Sequence, residues 1–434
     1  MKYQEEYDAK CTSPDDIAGR IQSGWRICAD VALGNPPAIF AAIGKRMDEL
    51  EGVLADTFID LTPMVWYQNP DTLGKITGIS WFSSAGARKA LAGGFADIMH
   101  ARYFDGPALV AQYTTVDALC LPVAPMDKHG YFSTGVTASV IQTRMAIAKH
   151  VYLEVNNYMP RCPAGPQIHI SQVEALCENH TPLINLPEEP VDEASQKIGE
   201  FIAERIPDGA CIQLGIGTVP NVVGLLLKTK RHLGIHTEML TDSMVDLLES
   251  GAADNSQKNV RRGRSVATFA MGTRKLYDFI DDNPMVEMLP VDFVNNPAVI
   301  AQNDNVVSIN AALETDFHGQ VCAESIGYMN ISGSGGQPDF VQGANMSKGG
   351  QSFIAFSSTV ATKNGVLSRI MPAVSQGGAV TTSKNDTDMI VTEYGVAKIR
   401  GQTLSQRTKN LIGVAHPDFR DQLTYEAKKL KILI

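Results

Sequence analysis

The chain has 434 residues, of which 44% are hydrophobic and 19% are charged, and its formal net charge at pH 7 is −10. This length suffices for two large domains or three small ones with sizeable cores, and the composition is ordinary for a globular protein. The acidic balance argues against a general nucleic-acid binder, although local donors can still hold an anionic ligand.

The first part of the chain alternates strand-like and helix-like segments. Ser13 or Thr12 caps the first predicted helix, because acidic residues follow in its first turn. A loop at 81–88 opens a helix that ends at Gly93-Gly94. The capped helix spans 12–24, and further helices are predicted at 38–54 and 137–149. Strands are predicted at 25–29, 57–61, 108–111, 118–125 and 150–156.

A proline-rich and acidic stretch at 178–190 has poor periodicity and predicts the crossing between two domains, 1–185 and 190–434. After it, a helix from Asp192 places Ile198, Ile202 and Ile206 on one face. Strands are predicted at 265–270, 285–289, 306–313, 352–356 and 389–392, with helices at 273–279 and at the C-terminus. The alternation predicts an α/β fold with two domains and mostly parallel sheets.

The stretch 213–251 organises the second half. A strand is predicted to end at Gln213-Leu-Gly215-Ile-Gly217, and Pro220 suits the first turn of the helix that follows. Such a glycine turn beside a helix N-terminus favours anions. One strand later comes a lone carboxylate, Glu238, with His236 nearby. This pairing indicates chemistry on a phosphate-bearing substrate.

These residues admit other interpretations. The Gly215-x-Gly217 turn alone is weak evidence for a nicotinamide oxidoreductase, because Pro220 occupies the position of the third fingerprint glycine. His232 and His236 are four apart, but Gly234 between them makes a helical metal pair improbable, and no metal site is predicted. The other glutamates considered as rivals to Glu238 are Glu154, Glu324 and Glu393.

The seven cysteines, at positions 11, 28, 120, 162, 177, 211 and 322, are odd in number and form no CxxC pair. They signal neither a disulfide framework nor a zinc site, so a reduced, cytoplasmic setting is expected. The first residues lack a signal-peptide pattern, and no apolar run has the length of a membrane helix. No membrane or nucleic-acid partner is therefore expected.

Five motifs resemble the acetyl-CoA hydrolase/transferase family, and in particular its 4-hydroxybutyrate and butyryl-CoA:acetate CoA-transferases. They lie in family order at 215–220, 236–239, 335–340, 362–365 and 391–397, and segments 127–131 and 154–161 are also similar. The resemblance covers nearly the whole chain and implies a NagB/RpiA-like CoA-transferase architecture. Segment 100–107 departs from the family pattern, which affects the expected acyl pocket.

The resemblance also implies site residues and a reaction. Glu238 would be the nucleophile of a ping-pong transfer from acetyl-CoA to butyrate or 4-hydroxybutyrate, through a glutamyl-CoA thioester. Coenzyme A would be a substrate, with no permanently bound cofactor, and the protein a homodimer or higher oligomer. An acyl-CoA hydrolase using the same glutamate is the alternative. The implied CoA contacts are Gly215, Ile216, Gly217, Thr218, Val219, Leu313, Gly335, Gly336 and Lys363.

Two further residues are assigned to the oxyanion or acyl pocket. The Gln213 amide could hold an oxyanion or part of CoA, and Arg88 could steer the incoming acid. The alternative interpretation is that Arg88 only begins a helix and is paired at the surface.

Overall fold

The first half of the chain is built on a parallel sheet of seven strands. The computed structural model describes residues 3–186, 190–215, 217–363 and 365–433. The strands stand in the order β4-β3-β2-β1-β5-β6-β7. Their bounds are β1 Arg26–Cys28, β2 Val53–Thr57, β3 Ile76–Ser80, β4 Ala96–Ile98, β5 Val116–Val123, β6 Ala148–Val155 and β7 Ala175–Glu178.

The second half is built on a six-stranded sheet in the order β9-β8-β10-β11-β12-β13. All neighbouring pairs are parallel except the last, where β12 and β13 are antiparallel. The strands are β8 Cys211–Leu214, β9 Gly234–Ile235, β10 Val306–Ala311, β11 Gln351–Ala355, β12 Met389–Thr392 and β13 Gly395–Lys398. The α/β class predicted from the alternation of apolar segments is confirmed.

Helices cover the sheets, and the shorter strands pair with one another in separate small sheets of two or three strands. The α-helices are Gln4–Lys10, Pro14–Gly19, Pro37–Lys45, Val65–Gln68, Ala85–Ala92, Gly106–Tyr113, Ile141–Ile147, Glu193–Ala203, Thr218–Leu226, Asp242–Glu249, Arg274–Ile280, Val291–Val294, Pro297–Ile300, Gln337–Met346, Leu404–Val414 and Pro417–Lys429. The short strands are Tyr131–Ser133, Gln167–His169, Met239–Leu240, Ser265–Ala267, Phe269–Ala270, Val286–Met288, Glu314–Asp316, Val321–Cys322, Ser325–Ile326, Met329–Asn330, Thr359–Thr362, Gly365–Ser368 and Ile370–Met371.

Several predicted elements have different bounds or a different type. The strand predicted at 108–111 is wrong, since Gly106-Pro107 opens a helix that runs to Tyr113. The helix predicted at 38–54 ends at Lys45, and the strand predicted at 57–61 lies earlier, at Val53–Thr57. Gly52 turns the chain between them with a φ of +66°. Local sequence patterns therefore predicted that a helix is followed by a strand here, but not the turn at Gly52 that separates them.

The two halves are joined by backbone hydrogen bonds as well as by side chains. Ala138 N–H donates to the Thr268 carbonyl at 2.9 Å, and Ala270 N–H donates to the Val136 carbonyl at 2.8 Å. One apolar core contains residues from both halves, among them Leu33 and Leu240. The two halves therefore pack directly against each other. The predicted boundary, 1–185 and 190–434, stays a prediction, with 187–189 outside the described residues.

Candidate active site

Glu238 lies just beyond the carboxyl end of β9, between that strand and Met239–Leu240. Because β9 pairs in parallel with β8, the glutamate emerges at the same sheet edge as the Gly215 turn. Its carbonyl accepts hydrogen bonds from Thr268 N–H at 3.0 Å and Phe269 N–H at 3.2 Å. The backbone of the glutamate is thereby fixed against the strand that contacts the N-terminal half.

Two donors hold the carboxylate of Glu238. The Asn295 amide nitrogen lies 2.7 Å from Glu238 Oε2, and the backbone N–H of Gly336 also donates to the carboxylate. Asn295 is fully buried at the end of the helix Val291–Val294. A side chain at Gly336 would collide with Glu238 Oε2 and the Asn295 amide, so the close approach requires glycine there. Both hydrogen bonds stabilise the ionised form of this carboxylate.

The surroundings raise the pKa of Glu238 to about 7. Removal from water is the main cause, and the negative charge of Asp339 adds to it, while the hydrogen bonds from Asn295 and Gly336 oppose it. Glu238 retains partial exposure, and it lines both of the cavities described below. The carboxyl group therefore titrates near neutral pH.

A second carboxylate, Asp339, lies on the other side of the Asn295 amide. Asn295 Nδ2 is 3.5 Å from Asp339 Oδ2, and Arg102 Nε donates to Asp339 Oδ1 at 2.9 Å. Burial raises the pKa of Asp339 to about 6, against the opposing effects of Arg102 and of the Phe104 N–H. Since Arg102 belongs to the first half of the chain and Asp339 to the second, this ion pair ties the halves together beside Glu238.

Two cavities meet at Glu238. One has a mainly apolar wall formed by Val31, Phe58, Ile59, Trp81, Phe82, Ala101, Tyr103 and Phe269. Ala101 and Tyr103 come from the segment that departs from the family pattern. Phe82 and Gly335 line both cavities, so the glutamate stands at the junction between them.

The second cavity has a more polar wall. It is lined by the glycine turn after β8, by the end of β10 and by the stretch 332–337. On its wall the Gln213 amide nitrogen donates to Asn310 Oδ1 at 3.2 Å, and Gln213 Oε1 accepts from Ser308 Oγ at 2.8 Å. The Gln213 amide is thus already engaged with its neighbours.

The other residues singled out in the sequence are distributed around this cleft. Gly215, Gly335 and Gly336 line the polar cavity. Gly217 caps the helix Thr218–Leu226 with a φ of +121°, which requires glycine, and that helix begins with Thr218 and Val219. Ile216 lies outside the described residues.

Leu313, Lys363 and Arg88 are placed differently. Leu313 is half-buried and its N–H donates to the Cys322 carbonyl at 2.8 Å. Lys363 is exposed in the turn between Thr359–Thr362 and the strand that begins at Gly365. Arg88 donates from Nε to the Ser84 carbonyl one helical turn earlier, at 3.2 Å. None of the three is among the described residues that line the two cavities, so their predicted roles stay predictions.

The cysteines are kept away from this site. Six of the seven are buried and Cys11 is exposed. Burial raises the pKa of Cys211 to about 11 and that of Cys28 and Cys177 to about 12. Of the described residues that line the two cavities, none is a cysteine or a lysine. In the described ranges no group of three or more potential metal ligands comes together, and no helix is long and apolar enough to cross a membrane.

We expect the rate of reaction with an acyl-CoA to fall as the pH is lowered through about 7. This expectation applies if Glu238 is the nucleophile, because only an ionised carboxylate attacks and the pKa of Glu238 is raised to about 7. A profile of kcat/KM against pH from 5 to 9 measures this. A rate that stays constant down to pH 5 would contradict the raised pKa or the role of the carboxylate.

Comparison with known proteins agrees with this geometry. The family model of the acetyl-CoA hydrolase/transferase N-terminal domain matches residues 1–186, and that of the C-terminal domain matches residues 272–427. The chain is 45% identical to a succinyl-CoA:cyclohexane-1-carboxylate CoA transferase of Geobacter metallireducens, with 99% of this chain and 97% of the relative covered. It is 40% identical to the 4-hydroxybutyrate coenzyme A transferase of Clostridium kluyveri, with 99% and 100% covered.

Solved structures give the same result. RipA from Yersinia pestis, 38% identical, superposes with a TM-score of 0.92 over the whole of both chains. The 4-hydroxybutyrate CoA-transferase from Porphyromonas gingivalis, 32% identical, has a TM-score of 0.80, with 99% of this chain and 100% of that one covered. The chain therefore belongs to the acetyl-CoA hydrolase/transferase family. It is an enzyme of the CoA-transferase class, and the architecture expected from the resemblance is confirmed.

Proposed function

We propose that this enzyme moves CoA between small monocarboxylic acids, with acetyl-CoA as donor and butyrate or 4-hydroxybutyrate as acceptor, through Glu238. The observation that carries the proposal is the position of Glu238, at the junction of an apolar and a polar cavity, with Oε2 held by Asn295. The similarity to the Clostridium kluyveri transferase supports the choice of acids.

The reaction proceeds in two halves. Glu238 attacks the thioester carbonyl of the acyl-CoA, and the C–S bond breaks to give a mixed anhydride and CoA thiolate. The thiolate then attacks the glutamyl carbonyl, releases the first acid as its carboxylate and leaves a glutamyl-CoA thioester. A second carboxylate attacks this thioester, expels CoA thiolate and forms a new anhydride, which the thiolate attacks at the acyl carbonyl. The charge on the glutamyl oxygen is stabilised by the Asn295 amide and the Gly336 N–H.

The two cavities suit the two parts of the substrate. The polar cavity, bounded by the glycine turn after β8 and by Gly335-Gly336, suits the CoA arm. The apolar cavity suits the acyl group, because aromatic and aliphatic side chains form most of its wall. Its described lining residues include no cation, so the distal carboxylate of a succinyl group would remain unpaired there. This favours monocarboxylic acyl groups over dicarboxylic ones.

The apolar wall of this cavity suits uncharged acyl groups of different shapes. The relative from Geobacter metallireducens is named for cyclohexane-1-carboxylate, which is a bulkier apolar acid. A panel of acceptors should therefore contain acetate, butyrate, 4-hydroxybutyrate, cyclohexane-1-carboxylate and succinate. The same relative is also named for succinyl-CoA. In this chain succinate is nevertheless expected to be the poorest acceptor of the five, because its second carboxylate would meet no cation among the described residues of the apolar wall.

We expect incubation with acetyl-CoA alone to leave CoA bound to Glu238 as a thioester. Borohydride reduces such a thioester, and peptide mapping should place the change within 234–240. The rate at which each acid is converted to its acyl-CoA is then compared with the rate at which free CoA is released when no acceptor acid is present. Transfer much faster than release supports the transferase, whereas equal rates would indicate the hydrolase. A change mapped to Glu393 or to a cysteine would contradict the role of Glu238.

Two features of the setting belong to the same proposal. The buried free thiols suit a reducing, cytoplasmic compartment, and we propose that the enzyme works there as a homodimer or higher homo-oligomer. Light scattering of the purified enzyme measures the second of these directly.

A further inference from the structure

His236 is a buried histidine that the reaction scheme does not use. It lies two residues before Glu238 and is only 2% exposed. Its Nε2 is 2.8 Å from the carbonyl oxygen of Val294. Its ring also meets the Phe340 ring edge-on, with the centroids 6.3 Å apart. These directed contacts indicate that His236 does more than fill space in the core.

Both contacts lead to the groups that hold the Glu238 carboxylate. The Val294 carbonyl belongs to the peptide bond that leads directly into Asn295, the residue whose amide donates to Glu238. Phe340 lies in the first turn of the helix Gln337–Met346, which Gly336 caps, and its N–H donates to the Gly336 carbonyl at 3.0 Å. The imidazole ring thus packs between the two elements that supply the donors.

We propose that His236 is a positioning residue, which holds Asn295 and Gly336 at the distance that the Glu238 carboxylate requires during acyl transfer. The inference rests on the proposed function, since it assigns the residue to the same reaction. His236 is not among the described residues that line the two cavities, so its effect would pass through Asn295 above all.

The hydrogen-bond partners fix the form of the ring. A carbonyl oxygen can only accept, so Nε2 carries the proton and donates to Val294. Nδ1 is left as an acceptor, with the Asn303 amide nitrogen 3.5 Å away. The nearby cation is Lys258, whose ammonium donates to the Ile235 carbonyl at 2.7 Å. Burial and this cation lower the pKa of His236 to about 3, so the ring stays neutral at working pH.

Two substitutions separate the donor from the bulk of the side chain. In His236→Gln the amide nitrogen falls close to the position of Nε2 and keeps a donor for the Val294 carbonyl. In His236→Asn the shorter side chain cannot reach that carbonyl. We expect His236→Asn to lower kcat about tenfold, the effect of losing one positioning hydrogen bond. The KM for acetyl-CoA should change less than about twofold, and His236→Gln should recover most of kcat.

A double-mutant cycle with Asn295→Ala distinguishes positioning from a general effect on folding. If His236 acts through Asn295, adding His236→Asn to Asn295→Ala lowers kcat no further. A further tenfold loss in the double variant, or equal losses in His236→Asn and His236→Gln, would overturn the proposal. Thermal unfolding and the borohydride-reducible CoA per subunit are measured for every variant, so that a loss of folded enzyme is counted as an overturning result for His236→Asn.

Measured together, the thioester and the double-mutant cycle distinguish a failure of this inference from a failure of the proposed function. If Glu238 were not the nucleophile, the borohydride-sensitive thioester would be missing from the unaltered enzyme. If Glu238 is the nucleophile and only the inference fails, the thioester forms and the two substitutions multiply in their effects.

Discussion

Replacing Glu238 by glutamine is expected to lower the rate of CoA transfer by about four orders of magnitude or more, the scale seen when an enzyme nucleophile is removed. Glutamine has nearly the shape of glutamate, and its carbonyl oxygen can still accept from Asn295 and from the Gly336 N–H. An amide oxygen is a far weaker nucleophile than a carboxylate, however, so no anhydride forms. The fold and the cavities should be little changed.

The measurement is transfer of CoA from acetyl-CoA to butyrate, together with mass analysis for the glutamyl thioester. The control is Glu393→Gln, because Glu393 accepts hydrogen bonds from the Ser358 N–H and hydroxyl and is not among the described residues lining the two cavities. Glu393→Gln should keep transfer within a few-fold of the unaltered enzyme. A Glu238→Gln variant with more than about 1% of the original rate would exclude Glu238 as the nucleophile.

The same substitution has a predicted effect on stability. The pKa of Glu238 is raised from 4.5 to about 7 in the folded state. Between these values the unfolded chain releases its proton while the folded protein keeps it, so this group makes the protein less stable as the pH rises. Glu238→Gln removes that penalty. Its Tm relative to the unaltered enzyme should therefore be higher at pH 8 than at pH 5.

Replacing Asn295 by alanine is expected to lower kcat by about 10²- to 10³-fold, as removal of one oxyanion donor does in other acyl transfers. The Asn295 amide lies 2.7 Å from Glu238 Oε2 and 3.5 Å from Asp339 Oδ2. Without the Asn295 amide, the carboxyl groups of Glu238 and Asp339 would lose a hydrogen-bond donor that they share. The pKa of Glu238 should then rise, because one of the hydrogen bonds that opposes the effect of burial is lost.

Kinetics and the pH profile together test this role. Asn295→Ala should lower kcat much more than it raises the KM for acetyl-CoA, and the acid limb of kcat/KM should move to higher pH. Asn283→Ala is the matched control, since the Asn283 amide donates to the Phe279 carbonyl at 2.9 Å, in a loop among elements that do not line the cavities. Equal effects of the two substitutions would show that Asn295 only supports the fold.

The class of fold was predictable from the sequence because it depends on local patterns, whereas Glu238 was singled out mainly by the resemblance to the family, and its role stays a prediction. Alternating apolar segments are visible along the chain, and the glycines mark a turn between a strand and a helix. Asn295 was missed, since it is separated from Glu238 by 57 residues and carries no motif of its own. Only the return of the chain at the helix Val291–Val294 brings its amide to the carboxylate.

The apolar cavity escaped prediction for a similar reason. Its wall draws Phe58, Trp81 and Tyr103 from three separate loops of the first half and Phe269 from the second. No periodicity connects these residues, because they meet only after both halves have packed together. By contrast, the prediction that segment 100–107 matters for this region gains support, since Ala101 and Tyr103 come from it. Which residues face a cavity depends on tertiary packing that local spacing does not encode.

The placement of the cysteines has a consequence for the reactive intermediates proposed above. A mixed anhydride acylates any thiolate or free amine that reaches it, and each such event would permanently remove one subunit from the working pool. Six thiols are buried, and no cysteine or lysine is among the described residues that line the two cavities. If the reaction runs through the anhydride proposed above, the activated acyl group would meet neither a thiol nor an amine among the described lining residues, which would limit self-acylation of the protein.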